Sequence, residues 1–152
     1  MNLSRLGRAE YLAVAGGLLL ALGVFLPWYG TNADNRNANI DGATGSLSGF
    51  TVHPILGWLL LAAAAAPLIL AWIIARDHQL SWPRGEMTAV VAMIAIALIL
   101  YVGFIDRPGR PSGQISLQFG WFVALLGAVL MLVGGASRAG STERPRKPPG
   151  VL

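Results

Sequence analysis

Apolar positions along this chain fall in four long uncharged runs, which polar segments separate. The runs cover roughly residues 11–28, 54–75, 87–105 and 118–137. About 20 helical residues, each rising about 1.5 Å, match a bilayer core about 30 Å thick. Because lipid offers no partners for backbone polar groups, runs of this length are predicted to be helices. The pattern predicts an all-α membrane protein with a four-transmembrane-helix bundle over residues 1–137.

Composition supports the membrane class and excludes several kinds of chemistry. Charged residues make up 12% of the chain and the mean hydropathy is +0.60, which is too apolar for an ordinary soluble domain. The net charge of +4 comes from basic residues that flank the apolar runs, so no nucleic-acid partner is expected. The absence of cysteine removes disulfides, thiol nucleophiles and iron–sulfur ligation. No cofactor is expected.

The basic residues predict how the bundle is oriented in the cell membrane, because cytoplasmic segments carry an excess of lysine and arginine. Arg36, Arg107 and Arg110 lie on one side. The other side carries Arg5, Arg8, Arg76, Arg84, Arg138, Arg144, Arg146 and Lys147. Both termini are therefore predicted in the cytoplasm, and residues 138–152 are predicted to form a disordered basic tail that attracts anionic lipids.

Aromatic residues mark the ends of the spans in agreement with this orientation. Tryptophan and tyrosine favour the membrane–water interface, where one end of the ring system is apolar and the other is wet. Interfacial anchoring is therefore the expectation for Trp28, Trp58, Tyr101 and Trp121 at the outer ends and for Tyr11, Trp72 and Trp82 at the inner ends.

Small residues recur on the first and fourth spans at spacings that suit close helix packing. The first span has Ala9, Ala13, Gly17 and Ala21 at a spacing of four, and the fourth has Gly120, Gly127 and Gly134 at a spacing of seven. Helices in lipid associate through such faces. The stripes predict seams within the bundle, and a dimerisation face is the alternative. In the second span, Pro67 removes a backbone donor and predicts a bend.

The predicted spans contain no Asp, Glu, Lys, Arg or His, and this argues against several functions. Proton relays, ion pathways and sites for charged substrates within membranes nearly always use such side chains. A haem site is not expected either, because His53 and His78 are predicted on opposite faces of the membrane. The spans offer few polar side chains to line a pore, since the hydroxyl of Thr88 lies near the inner end of its span.

The first outer segment contains "NRNANIDGATG", which places Asn37, Asn39, Asp41 and Gly42 at positions 1, 3, 5 and 6 of a calcium-loop template. A calcium loop needs several carboxylates and a Glu at its last position, and both are missing. No metal site is expected, and these residue types instead suit tight turns. Acid–base chemistry uses carboxylate and imidazole side chains, and this side of the membrane carries Asp34, Asp41, His53 and Asp106. No motif spacing relates these residues, so no catalytic residue is assigned.

The outer loops are predicted to fold into a small extracytoplasmic cap, since the first is too long for a simple helix connection. Extended segments near Ser46–Val52 and Gln114–Leu117 are expected to pair their backbones. Pro108 and Gly109 fit the centre of a type II turn. Asp106 opposes the dipole at a helix C-terminus and needs a cationic partner. The predicted polar cluster of the cap comprises Arg36, Asp41, Asp106, Arg107 and Arg110.

Short motifs give the chain a recognisable pattern: "FLPWYG" after the first span, "IDRPG" after the third, "GW" opening the fourth, and "GGASR". The pattern resembles a widespread group of uncharacterised four-span membrane proteins of actinobacterial type. The resemblance implies this topology and no particular activity. "FLPWYG" and "FIDRPG" also echo each other, as do Gly57–Trp58 and Gly120–Trp121, which predicts a duplicated helical hairpin unless the match is chance.

Three functions remain after these exclusions. The favoured one is a structural or accessory membrane protein that binds a partner protein, a second copy or lipid through its helices and outer loops. The alternative is a component of a transporter or channel for a neutral or lipophilic solute. The third is an enzyme built on the outer loops, and it requires the four titratable groups of those loops to converge on a pocket.

Overall fold

In a computed structural model of the chain, four long helices lie side by side and carry a small sheet at one end. The structure describes residues 6–76 and 85–141. The long helices are α1 (Arg8–Phe25), α3 (Pro54–Ala75), α4 (Glu86–Leu100) and α5 (Phe119–Ser141), and α2 is a single turn over Gly49–Val52. Each long helix is long and apolar enough to cross a membrane, with α4 counted through Ile105. The predicted four-helix membrane bundle is confirmed, and the architecture is that of a multi-pass membrane protein.

The first helix ends earlier at its C-terminus than the apolar run suggested. Leu26, the residue before Pro27, has φ −78° and ψ 160°, the extended conformation that proline imposes on its predecessor. The chain therefore leaves α1 at Phe25 and enters strand β1, Pro27–Thr31. Proline is tolerated there because it is the first residue of the strand and lies beside a register shift. The end of the predicted span, up to Trp28, is thus strand and not helix.

The cap contains a three-stranded antiparallel sheet of order β2-β1-β3, in which β2 is Ser46–Ser48 and β3 is Ile115–Leu117. The prediction that the two outer segments pair with each other is wrong. Each pairs with β1 instead, which lies between them: Tyr29 is opposite Leu47 on one side and Leu117 on the other. The first segment is also extended only to Ser48, after which α2 begins. We call the end of the bundle that carries this cap the sheet end, and the opposite end the terminal end.

Helices α1 and α5 form the closest seam in the bundle, and glycine makes it possible. A Cβ added to Gly134 would lie 2.7 Å from the backbone nitrogen of Ala13, and one added to Gly23 would lie 2.6 Å from Cα of Ala124. Gly127 lies equally close to the backbone of Leu20, and Gly120 to Pro27. Of the residues in the predicted packing stripes, Gly127, Gly134 and Ala13 lie in this seam, and Gly120 meets the chain just after α1.

The stripe on α1 is nevertheless divided between two neighbours. Gly17 packs against α3, where an added Cβ would lie 2.6 Å from the carbonyl oxygen of Ala64 and 2.9 Å from Pro67. Ala21 is only partly buried. The glycine that meets α5 in this part of α1 is Gly16, which the spacing of four missed because a helix repeats at 3.6 residues per turn. Helix α3 continues through Pro67, which is buried on this contact.

The bundle is closed on three sides and loose on the fourth. Helix α1 packs on α3 and α5, and α4 packs on α5, whereas α3 and α4 touch only sparsely. A duplicated hairpin with two-fold symmetry would make the α1–α5 and α3–α4 contacts equivalent, and they are not. The echoed tryptophans differ as well, since Trp58 is 65% exposed and Trp121 is 2% exposed. The packing therefore lacks the equivalence that a symmetric duplication predicts.

At the terminal end, an ion pair joins α1 to α5. Arg138 Nε lies 3.0 Å from Glu10 Oε1, and the Glu10 side chain is 4% exposed. Glu10 Oε2 accepts the backbone N–H of Gly7. Residues 10 and 138 lie just outside the predicted spans 11–28 and 118–137, whereas α1 begins at Arg8 and α5 continues to Ser141. Residue 138 is therefore helical and begins no tail; residues 142–152, with Trp82 and His78, lie outside the described residues.

Candidate functional site: the cap and the α3–α4 groove

Two tryptophans that were predicted to anchor the protein at the interface are buried and hold the cap on the bundle. The indole N–H of Trp28 donates to the carbonyl oxygen of Gly23 at 2.6 Å. The indole N–H of Trp121 donates to the carbonyl oxygen of Ile99 at 3.0 Å, just before the π-helical turn Tyr101–Ile105. Each indole thus satisfies a backbone acceptor at the sheet end. Trp58 and Tyr101 are exposed, as an interfacial position requires.

Tyr29, in the central strand, is a polar side chain that the cap buries completely. Its hydroxyl donates to the carbonyl oxygen of Val102 at 3.1 Å. The hydroxyl oxygen also lies 3.2 Å from Nε2 of His53, the residue before α3. A tyrosine hydroxyl has one proton, which Val102 receives. His53 must therefore carry its proton on Nε2 and donate it to Tyr29, which leaves Nδ1 as an acceptor.

The surroundings of this pair hold both rings in their neutral forms. Burial raises the pKa of the Tyr29 phenol well above its usual value, an effect that Arg107 opposes and Asp106 reinforces. Burial lowers the pKa of His53 below 6.5, while the negative charges of Asp106 and Asp41 partly oppose this. At neutral pH the pair is thus a hydrogen-bonded connection between β1, α3 and α4, and it carries no charge.

Arg107 connects the π-helical turn to the sheet. Its Nε donates to the carbonyl oxygen of Gly103 at 3.0 Å, and a terminal nitrogen donates to that of Ile115 at 3.2 Å. The last carbonyls of a helix have no partners within the helix, and the negative end of the helix dipole attracts a cation beside them. Arg107 therefore stabilises a helix end and joins it to β3.

The expected ion pair of Asp106 is not formed. Within the described ranges 6–76 and 85–141, no arginine nitrogen lies within 4.0 Å of the Asp106 carboxylate. Asp106 is exposed, so water solvates its charge, and Arg107 has turned to backbone carbonyls instead. Arg36, Asp41 and Arg110 are exposed too. The predicted polar cluster is thus a set of solvated side chains around the cap, of which Arg107 alone has a structural role in the described contacts.

The segment that resembles a calcium loop contains a tight hairpin with a two-residue turn. Ile40 and Ala43 exchange two backbone hydrogen bonds of 2.9 Å, and Asp41 and Gly42 between them have φ of 50° and 82°. Positive φ at both central positions defines a type I′ turn, for which Asp-Gly is a preferred sequence. The tight turn expected from these residue types is confirmed. Asn39 accepts the backbone N–H of Gly42, so the template positions serve local turn bonds.

The two outer loops contact each other, as predicted for a folded cap. Asn39 and Arg110 exchange backbone hydrogen bonds of 3.1 and 2.9 Å, and Asn32 and Asn35 both donate side-chain hydrogen bonds to Gln114. Gly109 has φ 93°, in agreement with the predicted turn. No three of the histidine and carboxylate side chains within residues 6–76 and 85–141 come close enough to hold a metal ion.

Beside the cap, the sparse contact between α3 and α4 leaves an apolar groove that opens sideways from the bundle. Its deeper part has a volume of about 320 Å³ and its part next to the cap about 440 Å³. Leu59 and Leu98 line both parts, so the groove is continuous. The deeper part has a floor of small side chains, Ala62, Ala63, Ala66 and Ala95. At the cap, the wall carries two side chains with polar atoms, His53 and Tyr101.

This arrangement supplies binding surface and little reactive chemistry. The groove offers contact to an apolar chain, and His53 offers one hydrogen-bond acceptor at its cap end. The groove could not be predicted from the sequence, because the alanines of α3 suit close helix packing equally well. Comparisons with protein-family models, curated proteins and solved structures find no match to this chain. The resemblance to the actinobacterial-type group therefore stays a prediction.

Proposed function

We propose that this chain is a non-enzymatic accessory protein of the cell membrane, which binds a lipid or a partner protein through the α3–α4 side of its bundle. The observation that carries the proposal is the unequal closure of the bundle. Backbone-to-backbone contact at glycines seals α1 against α5, whereas α3 and α4 leave an apolar groove open along one side. A groove at this position faces the hydrocarbon of the membrane.

The proposal includes the orientation predicted from the basic residues. Arg8, Arg76 and Arg138 lie at the terminal end, and Arg36, Arg107 and Arg110 lie at the sheet end. The positive-inside rule then places the cap outside the cell and both termini in the cytoplasm. Because Arg138 is paired with Glu10, attraction to anionic headgroups falls mainly to Arg144, Arg146 and Lys147, the basic residues after α5.

The alternative, a transporter or channel component, receives less support from the packing. A solute path along the bundle axis has to pass the α1–α5 seam, where glycines bring the two backbones into contact at Gly16, Gly23, Gly127 and Gly134. Buried Trp28 and Tyr29 cover the same axis at the sheet end. Proteoliposomes that release a neutral solute faster than protein-free vesicles would favour this alternative.

Site-directed photocrosslinking in native membranes tests the proposed binding face. A photoreactive phenylalanine analogue replaces Ile94, which lines the groove and is 56% exposed, or Leu126 on α5, which is 52% exposed. We expect a discrete adduct from position 94, either with a protein or with lipid, and only diffuse bulk-lipid labelling from position 126. The same adduct pattern at both positions would contradict the proposal.

A further inference from the structure

We infer that the α3–α4 groove holds one acyl chain of a phospholipid from the leaflet at the sheet end, and that His53 accepts a hydrogen bond from the headgroup of that lipid. The inference rests on the proposed function, because it names the occupant of the proposed binding face. The length of the groove, its volume and the position of its polar side chains support this occupant.

The groove is as long as one leaflet. It extends along α3 from Pro54 to Ala66 and along α4 from Tyr101 to Val91. At about 1.5 Å per helical residue these stretches span about 15–18 Å. Half of a hydrocarbon core about 30 Å thick is about 15 Å, so the groove begins at the interface and ends near the midplane. A transmembrane helix of a partner crosses both leaflets and is therefore about twice as long as the groove.

The groove is too small to enclose a helix, whereas a single hydrocarbon chain needs much less space. A helix about 10 Å in diameter occupies roughly 1,200 Å³ over a length of about 15 Å. The larger part of the groove has a volume of about 440 Å³. A single hydrocarbon chain has a much smaller cross-section than a helix. Alanine at positions 62, 63 and 66 provides the space, because larger side chains there would fill the floor.

Polarity changes along the groove as it does along a lipid. The deep walls consist of Ala, Leu, Val and Ile side chains, and the polar side chains His53 and Tyr101 lie at the cap end. Exposed Trp58 and Tyr101 mark the level of the interface near that end. His53 Nε2 is used by Tyr29, and α3 has no side-chain N-cap bond, so Nδ1 makes no hydrogen bond within the described residues. An acceptor at headgroup level selects a headgroup that donates a hydrogen bond.

Two phospholipids that differ in donors make the test specific. Phosphatidylethanolamine has an ammonium group that donates hydrogen bonds, and phosphatidylcholine has the same net charge without a donor. The full-length protein is reconstituted in nanodiscs containing equal amounts of the two lipids with identical acyl chains. Lipids that stay bound after transfer to detergent are counted by native mass spectrometry.

For the unaltered protein we expect one retained lipid, with phosphatidylethanolamine preferred roughly 2- to 10-fold, as a single hydrogen bond implies. Ala66→Phe fills the deep part of the groove and should abolish retention of both lipids. Ala97→Phe places the same side chain on an exposed position of α4 that does not line the groove, and it should change nothing. Equal retention by the two variants would overturn the inference.

The role of His53 is tested separately from the role of the groove. His53→Leu should keep lipid retention and remove the preference between the two headgroups. Tyr101→Phe removes the hydroxyl of the other polar side chain on the groove wall and leaves His53 and its partner Tyr29 in place, so it should keep the preference. Loss of the preference in both variants would assign the effect to the shape of the cap and contradict direct recognition by His53.

The crosslinking experiment distinguishes failure of this inference from failure of the proposed function. A discrete adduct from position 94 with a protein, or with a second copy of this chain, would preserve the binding face and refute the lipid as its occupant. An adduct with lipid that Ala66→Phe removes supports both. Absence of any position-specific adduct refutes both.

Discussion

At the scale of single residues, the cap is held by side chains that donate to backbone carbonyls of the helices. Trp28, Tyr29, Arg107 and Trp121 each donate such a bond within the described residues. A carbonyl that loses its donor in a buried position carries the full penalty of desolvation, so these contacts are costly to remove. Tyr29 is the clearest case because it is fully buried and also contacts His53.

Tyr29→Phe should therefore destabilise the protein by about 1–3 kcal/mol, because the carbonyl of Val102 and Nε2 of His53 both lose a buried partner. Unfolding in detergent, followed by tryptophan fluorescence, measures the change. Tyr101→Phe, at an exposed tyrosine, is the control and should lie within about 0.5 kcal/mol of the unaltered protein. An equal effect of the two substitutions would show that the buried hydroxyl contributes nothing.

His53 makes stability depend on pH in a defined direction. Its pKa is lowered in the folded protein by burial, so below pH 6.5 the unfolded chain binds more protons than the folded one. Stability should thus be complete above pH 6.5 and fall as the pH drops from there towards the folded pKa. Denaturation midpoints measured between pH 7.5 and about 5 for the unaltered protein and His53→Gln should diverge on the acidic side. Parallel curves would contradict the shift.

At the scale of elements, the effect of a glycine depends on whether its position lies in a helix contact. On the α1–α5 seam glycine is needed for space, since the facing backbone lies where a Cβ would be. Elsewhere on the same helix glycine only lowers helix propensity. Gly134 and Gly140 exemplify the two cases: the first meets Ala13 and Ala9, and the second has no neighbour within 4 Å among the described residues.

Gly134→Ala should destabilise the bundle by about 1–3 kcal/mol or more, because α1 and α5 must separate to accept the methyl group. Gly140→Ala, the matched control on α5, should be neutral or stabilise by up to about 1 kcal/mol through helix propensity. Thermal unfolding of both variants in the same detergent gives the comparison. Equal midpoints for the two would mean that the α1–α5 seam accommodates a methyl group at position 134 without loss of stability.

At the scale of the whole molecule, the two ends of the bundle are closed by different means. The sheet and its side-chain donors close the sheet end, while Glu10 and Arg138 join the first and last helices at the terminal end. The charges suit their helix ends, an acid in the first turn of α1 and a base near the end of α5. The pair joins α1 to α5 across the closest seam.

The two partners should respond unequally to neutralisation. Arg138→Gln leaves the carboxylate of Glu10, which is 4% exposed, without its cation and should cost about 3–5 kcal/mol. Glu10→Gln keeps the acceptor for Gly7 and leaves Arg138, which is 32% exposed, able to reach water, so it should cost less. Unfolding free energies of the two single variants and the double variant provide the test. The reverse order would show that Arg138 is the more poorly solvated charge.

The class of the protein, the four spans and the turn chemistry of the loops follow from local patterns of residues. Apolar runs of membrane length permit only helices, because lipid leaves backbone groups no other partner. Asp41 and Gly42 form the tight turn expected from their residue types because positive φ is a local property. The glycines on α5 were identified as a packing stripe for the same reason, since a regular spacing on one helix defines one face.

Everything that depends on which elements meet was decided by the tertiary structure. β1 was hidden in the apolar run of the first span, because a buried strand and a buried helix end have the same composition and only Pro27 separates them. Trp28 and Trp121 were assigned to the interface because burial is set by neighbours distant in sequence. The Glu10–Arg138 pair joins residues at opposite ends of the chain. The groove exists because α3 and α4 stay apart while glycine closes the α1–α5 seam, and that inequality is a property of the assembled helices.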